Sequence, residues 1–310
     1  MTTGVPVRPL LSGVVASPVT PLTADGRIDD ATFARLLRFL VREGADHVAV
    51  PMHIGESLKL SDAERRRLVE IAAQTLDPAT PLYAHVSTPG TELTIALARH
   101  AIAAGAAGVV VTPPYHWRPS PAALVEHFTA VAAATAGQVI GYNYPERIGV
   151  TVSPEVVAEV IATSPNFVGL KDASLTMKYF TEVCRVGASL RPGFAVFSGV
   201  EYVLPAAAIG GAGCFSACGG VAPRLVRRLA DAALAGDLVA ARPLQATISE
   251  LFSAIETGYP ATIKAAMAIM GRPCGPSRLP AERLSLDDMK RLESRLDDLD
   301  VLESEPHGWE

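Results

Sequence analysis

The chain has 310 residues, 49% of them hydrophobic and 19% charged, a balance that excludes a disordered polypeptide and leaves room for one large domain or two small ones. Its formal charge is −5 and its basic residues are scattered, so neither a nucleic acid nor an anionic membrane is implied as partner. No window approaches the ~18 uninterrupted apolar residues of a membrane span.

The N-terminal stretch, with Pro6 and Pro9 and no charged region ahead of an apolar run, does not read as a secretory signal, and the chain reads as cytoplasmic. Cys184, Cys214, Cys218 and Cys274 lack zinc-type spacing and read as reduced thiols. Only Lys59, Lys171, Lys178, Lys264 and Lys290 supply primary amines on side chains.

Short apolar runs alternate with longer amphipathic ones. Strands are expected at Val14–Ser17, His47–Pro51, Leu82–Val86, Gly108–Thr112, Val139–Asn143, Phe167–Lys171, Phe194–Ser198 and Gly213–Ser216. Helices are expected at Asp30–Arg42, Ser61–Thr75, Thr91–Ala104, Pro121–Ala134, Ser153–Thr163, Thr176–Val186, Val203–Ile209 and Pro223–Ala235. Ser61 and Glu64 have the spacing of a capping box. Eight strand-helix units close a parallel barrel, so the expected class is α/β, a TIM (β/α)8 barrel. A doubly wound sheet is the alternative, but the first strand-helix turn reads Ser17-Pro-Val-Thr-Pro-Leu22 and lacks the glycine pattern of a dinucleotide site. Strand signals stop after Gly236, and helical patterns follow at Leu238–Ile255, Ala261–Met270 and Ser285–Leu299. The expected division is a barrel over residues 1–235 and a C-terminal helical extension over 236–310, packed as one unit.

A parallel barrel carries its chemistry where the strands end. Lys171 closes the sixth strand, where burial would disfavour the ammonium and free a nucleophilic amine for attack on a carbonyl; a lysine reaching to water is the plainer alternative. Lys264 sits mid-helix among apolar residues and suits a structural role. Tyr142 ends the neighbouring fifth strand and is placed to exchange protons with that amine, or to serve as a core tyrosine.

Several segments, in order, resemble the dihydrodipicolinate synthase / N-acetylneuraminate lyase family of class I Schiff-base aldolases. Val19–Asp29 is similar to its opening turn, and Gly55-Glu-Ser57 to the end of its G-T-T-G-E-S segment. Tyr142-Asn-Tyr-Pro145 with Arg147 and Gly149 resembles its Y-N-x-P and R-x-G elements. Val168-Gly-Leu-Lys-Asp172 resembles the imine-lysine strand, and Phe197-Ser-Gly199 and Gly210–Ser216 the last two strand ends. The resemblance implies a (β/α)8 barrel, a homodimer or homotetramer, and a 2-oxo acid such as pyruvate bound as an imine on Lys171 with no cofactor and no metal. It also implies proton relay by Tyr142, carboxylate binding by backbone amides near Gly55, with Ile54 and Ser216 beside the substrate, and an anionic group on the second, aldehyde substrate at Arg147.

The chain departs from that pattern in two places. Met52-His53-Ile54 stands where the family offers relay hydroxyls, and Pro114-Tyr115-His116-Trp117 where it offers paired tyrosines. These departures set a general lyase reading ahead of 4-hydroxy-tetrahydrodipicolinate synthase proper, which condenses pyruvate with aspartate semialdehyde. His53 or His116 is expected to replace the relay, with Tyr115 nearby, and Trp117, Met52 and Ile54 to favour a larger or aromatic acceptor or a dehydratase or hydratase-aldolase substrate. Trp117 packing at a subunit interface is the alternative. A binding protein without turnover also fits, as does a metallohydrolase built on His53, His85 and His116.

Overall fold

Four-residue runs such as Gly-Val-Val-Ala and His-Val-Ala-Val are too short to bury themselves, and they do so here by pairing into one ring. A computed structural model describes residues 11–281 and 283–309; Pro6 and Pro9, on which the reading of the N-terminus rested, lie outside the described residues. The strands are β1 (Gly13–Ala16), β2 (His47–Val50), β3 (Leu82–His85), β4 (Gly108–Val111), β5 (Gln138–Asn143), β6 (Phe167–Asp172), β7 (Ala195–Ser198) and β8 (Gly213–Ser216). They form a closed, all-parallel barrel in chain order. The ring closes where Gly13 faces Gly213, with φ of 98° and 144°. A Cβ on Gly213 would lie 1.9 Å from the Gly13 carbonyl oxygen, so this seam admits only glycine.

The helices are α1 (Asp30–Arg42), α2 (Asp62–Thr75), α3 (Thr91–Ala103), α4 (Pro121–Ala133), α5 (Pro145–Ile148), α6 (Pro154–Thr163), α7 (Met177–Leu190), α8 (Val203–Ala208) and α9 (Pro223–Leu234), followed by α10 (Leu238–Ile255), α11 (Ala261–Ile269) and α12 (Leu286–Asp297). None is long and apolar enough to cross a membrane. The Ser61–Glu64 capping box starts α2 as expected.

Two elements differ from the expectation. α5 is one turn opened by Pro145 and closed by Gly149 at φ 75°, too short to show a helical period. α7 runs on past Val186 to Leu190, through Gly187, which is glycine because a Cβ there would lie 2.5 Å from the Phe194 ring.

The C-terminal segment is tied to the barrel by Arg272, whose side chain is wholly buried. Its guanidinium donates to the carbonyls of Gly220, Val221, Met270, Pro306 and Gly308 and lies 4.6 Å from the Phe39 ring centroid. Nearby, the Glu305 carboxylate accepts from the amides of Arg224 and Leu225 at the start of α9. Replacing Arg272 by Met leaves buried carbonyls without donors; the expected cost is about 3 kcal/mol in urea unfolding. An unchanged midpoint would show that the guanidinium fills space only.

Candidate active site

The register of β5 on β6 sets Tyr142 opposite Lys171 and Asn143 opposite Asp172. The outer pair of this register is structural: Asn143 donates to Asp172 at 2.8 Å and accepts from the Val152 amide, while Asp172 takes the amide and hydroxyl of Ser174. The inner pair faces a cavity of about 160 Å³ at the C-terminal mouth of the barrel.

Lys171 is 5% exposed, and its Nζ lies 4.1 Å from the Tyr142 ring centroid and 4.9 Å from that of Phe215. It makes no ion pair among the described residues. Burial pushes its pKa down to about 7, opposed by the nearby Glu201 and Cys214. The amine is thus substantially neutral at physiological pH, the state in which it is a nucleophile. Tyr142 shifts the other way: burial, with Tyr259, Tyr144 and Asp172 adding to it, lifts its phenol well above the ordinary range, so it holds its proton.

His53 sits on a short 3-10 turn, His53–Gly55, just past β2 and lines the same cavity. Its ring is 5.3 Å from Tyr142, 5.8 Å from Tyr144 and 5.0 Å from His85, centroid to centroid. Burial first, then Lys171, Arg65 and Arg147, lower its pKa to about 3. It is a neutral imidazole.

The turn is held from outside the cavity. Thr20 Oγ1 donates to the Gly55 carbonyl at 2.6 Å. Glu56, at φ 61°, pairs with the buried Lys264 at 2.9 Å and accepts from Lys59 and the Arg278 amide. Lys264 therefore has the structural role expected of it.

Met52, Ile54, Arg147 and Ser216 also line the cavity. Gly55 is buried in the turn rather than at the cavity wall. Ser216 donates to Glu201 at 2.7 Å and accepts from the Gly219 amide. Tyr115 lines an adjoining cavity of about 280 Å³, which shares His53, Tyr144, Arg147 and Tyr259 with the first. His116 and Trp117 line neither: both are exposed, Trp117 at 77%, and His116 has φ 84°. The three imidazoles considered as a metal set are accordingly not assembled, and no group of three or more His, Cys, Asp or Glu among the described residues is placed to hold a metal. All four cysteines are buried and free.

The sequence reading missed several lining residues. Tyr144 and Glu146 follow the recognised tyrosine, and Val200 follows Gly199, so proximity to strand ends would have found them. Phe252, Glu256 and Tyr259 come from α10 and the turn after it. No local signal marks these, because packing of the C-terminal helices alone brings them to the mouth.

A closed (β/α)8 barrel with a buried, partly neutral lysine at its C-terminal mouth is an architecture suited to amine attack on a carbonyl. The model of the Dihydrodipicolinate synthetase family matches residues 10–299, and the chain belongs to that family. A 4-hydroxy-tetrahydrodipicolinate synthase of Syntrophus aciditrophicus is 35% identical over 286 residues, covering 91% of this chain and 96% of that protein. The crystal structure of dihydrodipicolinate synthase from Aquifex aeolicus superposes with a TM-score of 0.89 at 28% identity, covering 94% and 99% of the two chains. YagE of E. coli K12, a prophage protein of this family solved in complex with pyruvate, superposes with a TM-score of 0.90 at 28% identity over 94% and 99%.

The depressed lysine pKa carries a stability cost. The folded state holds the amine neutral above about pH 7, whereas the unfolded chain keeps it charged to about pH 10.4, so stability rises with pH across that window. Lys171→Met removes the penalty, and thermal unfolding near pH 7.5 is expected to rise by roughly 5 °C, about 2–3 kcal/mol. The gain should shrink toward pH 10; a loss of stability at pH 7.5 would contradict the burial argument.

Proposed function

We propose that this chain is a Schiff-base lyase of the class I aldolase type, binding pyruvate or another 2-oxo acid through an imine at Lys171 and making or breaking a carbon–carbon bond to an aldehyde. The observation that carries the reading is the buried amine of Lys171, lowered to about 7, against the ring of a protonated Tyr142.

The neutral amine attacks C2 of the 2-oxo acid, water leaves the carbinolamine as Tyr142 passes it a proton, and a protonated imine results. That cation is an electron sink. Loss of a C3 proton gives an enamine that adds to the aldehyde, and hydrolysis returns the lysine; cleavage runs the same steps in reverse. Backbone amides of the Ile54-Gly55 turn suit the carboxylate, Ser216 lies beside it, and Arg147 suits an anionic or polar group on the aldehyde. His53 takes the place of the missing relay hydroxyls. For His116 to act, it and Trp117 must meet a second copy of the chain, and assembly as a homodimer or homotetramer is part of this reading.

A second reading, 4-hydroxy-tetrahydrodipicolinate synthase proper, is favoured by the activity for which the Syntrophus relative is named. Met52-His53-Ile54 separates the two, and so does turnover with aspartate semialdehyde against aromatic aldehydes. In both, borohydride added with pyruvate should fix one adduct on the Lys171 peptide. An adduct on another residue, or none with any 2-oxo acid, would overturn the assignment.

The pH dependence of imine formation follows from the lysine. Below pH 7 the rate at low pyruvate should climb about tenfold per unit as the amine loses its proton, and it should level off above pH 7. A profile still climbing steeply at pH 9 would place the amine in its ordinary, charged state.

A further inference from the structure

His85 ends β3 and is only 1% exposed, yet neither of its ring nitrogens completes a hydrogen bond among the described residues. The Pro51 carbonyl is the backbone acceptor close enough to favour its protonated form. Burial, with His53, Arg65 and Lys171 adding to it, keeps the ring neutral all the same. Leaving a buried polar group without a partner costs on the order of 1–3 kcal/mol, so an apolar ring would serve better if position 85 only filled space.

The imidazole stands against His53, centroids 5.0 Å apart and planes at 81°. It also lies 6.2 Å from the Tyr142 ring, edge to face. His53 is the member of this pair that reaches the cavity. No hydrogen bond joins the two rings among the described residues, so His85 acts on His53 through this contact: it holds the ring plane, and with it which nitrogen turns to the cavity, and the surroundings each nitrogen then meets decide which one carries the proton.

We propose that His85 is a positioning residue for His53, fixing its ring orientation and tautomer so that an unprotonated nitrogen meets the oxygen on C4 of the substrate. The inference rests on the reading of Lys171 as the imine former. In cleavage, His53 takes the C4 hydroxyl proton while the C3–C4 electron pair moves into the protonated imine, leaving an enamine and an aldehyde. In synthesis, the same proton returns to the alkoxide formed as C3 bonds to the aldehyde carbon. No oxidant, reductant or metal enters the balance.

Two variants test it. His85→Phe keeps the ring and removes both nitrogens; His85→Asn restores a polar group in less space and serves where the first fails to fold. Two-bond 1H–15N spectra of the 15N-histidine protein read the tautomer directly, with His53 assigned by His53→Gln. We expect one neutral tautomer of His53 in the unchanged protein with pyruvate bound, a mixture in His85→Phe, and partial return in His85→Asn. Borohydride should still trap pyruvate on Lys171 in both variants. With aspartate semialdehyde or benzaldehyde, whichever the unchanged protein condenses faster, kcat should fall about tenfold in His85→Phe with little change in KM.

An identical His53 tautomer in all three proteins, or native kcat in His85→Phe, would overturn the inference while leaving the imine reading intact. Absence of any adduct in the unchanged protein would instead remove the imine reading, and this inference with it.

Discussion

A primary amine enclosed at the top of a closed barrel, between two aromatic rings and without a carboxylate in ion-pair contact, is held where its cation is least stable. The neighbouring titratable groups follow the same rule. Burial keeps His53 and His85 neutral, keeps the Tyr142 phenol protonated and raises the Glu201 carboxyl. The mouth of the barrel therefore sets a neutral His53, a protonated Tyr142 and a partly neutral Lys171 beside the guanidinium of Arg147, an arrangement in which protons can be exchanged near neutral pH. The contrast with Lys264 is instructive. It is as well buried as Lys171 but has Glu56 at 2.9 Å and the Pro276 carbonyl at 2.8 Å, so its charge has partners. One buried lysine is a structural cation, and the other, the proposed nucleophile, has its ammonium disfavoured because only the first has a counter-ion.

A site that opposes folding must rest on a scaffold that favours it. Its supports lie one layer out from the cavity. Asn143 and Asp172 lock the strand pair that carries Tyr142 and Lys171. Glu56, gathered by Lys264, Lys59 and the Arg278 amide, holds the turn that carries His53. Arg272 binds the C-terminal segment to the loop after β8, and the packing of that segment sets α10, with Phe252 and Glu256, over the mouth. In each case charge is satisfied by several bonds just outside a cavity where charge is left unsatisfied.

Much of this was legible in the sequence, for a definite reason. The parallel barrel ties function to strand ends, and a buried parallel strand is an unbroken apolar run, so the first polar residue after each run is a candidate by position alone. Lys171, Tyr142 and the His53 turn emerge that way, and neighbouring strands in the chain are neighbours in the ring. The same logic could not say which way a loop faces: His116 and Trp117 follow a strand end as Tyr115 does, yet they are exposed and lie outside both cavities. It also weighed His85 only as a metal ligand, because the isolation of its nitrogens is a property of packing. The helix expected over Thr176–Val186 stops short of Gly187, because the reason a glycine sits mid-helix there, the Phe194 ring against it, lies beyond local pattern.

The departures from the family pattern gain a physical meaning from this setting. A hydroxyl relay works through groups that are neutral at any ordinary pH, whereas an imidazole is a useful relay only if something prevents it from charging. Here burial does so first, and the charge Lys171 carries when protonated and the guanidinium groups of Arg65 and Arg147 add to it. An anionic 2-oxo acid alters that balance. Its carboxylate brings into the mouth the negative charge the protein has withheld from Lys171, stabilising the iminium as it forms and making His53 more basic than in the empty site. The base would then become competent only when the substrate that needs it is bound, a coupling that threonine hydroxyls at the same turn would not provide.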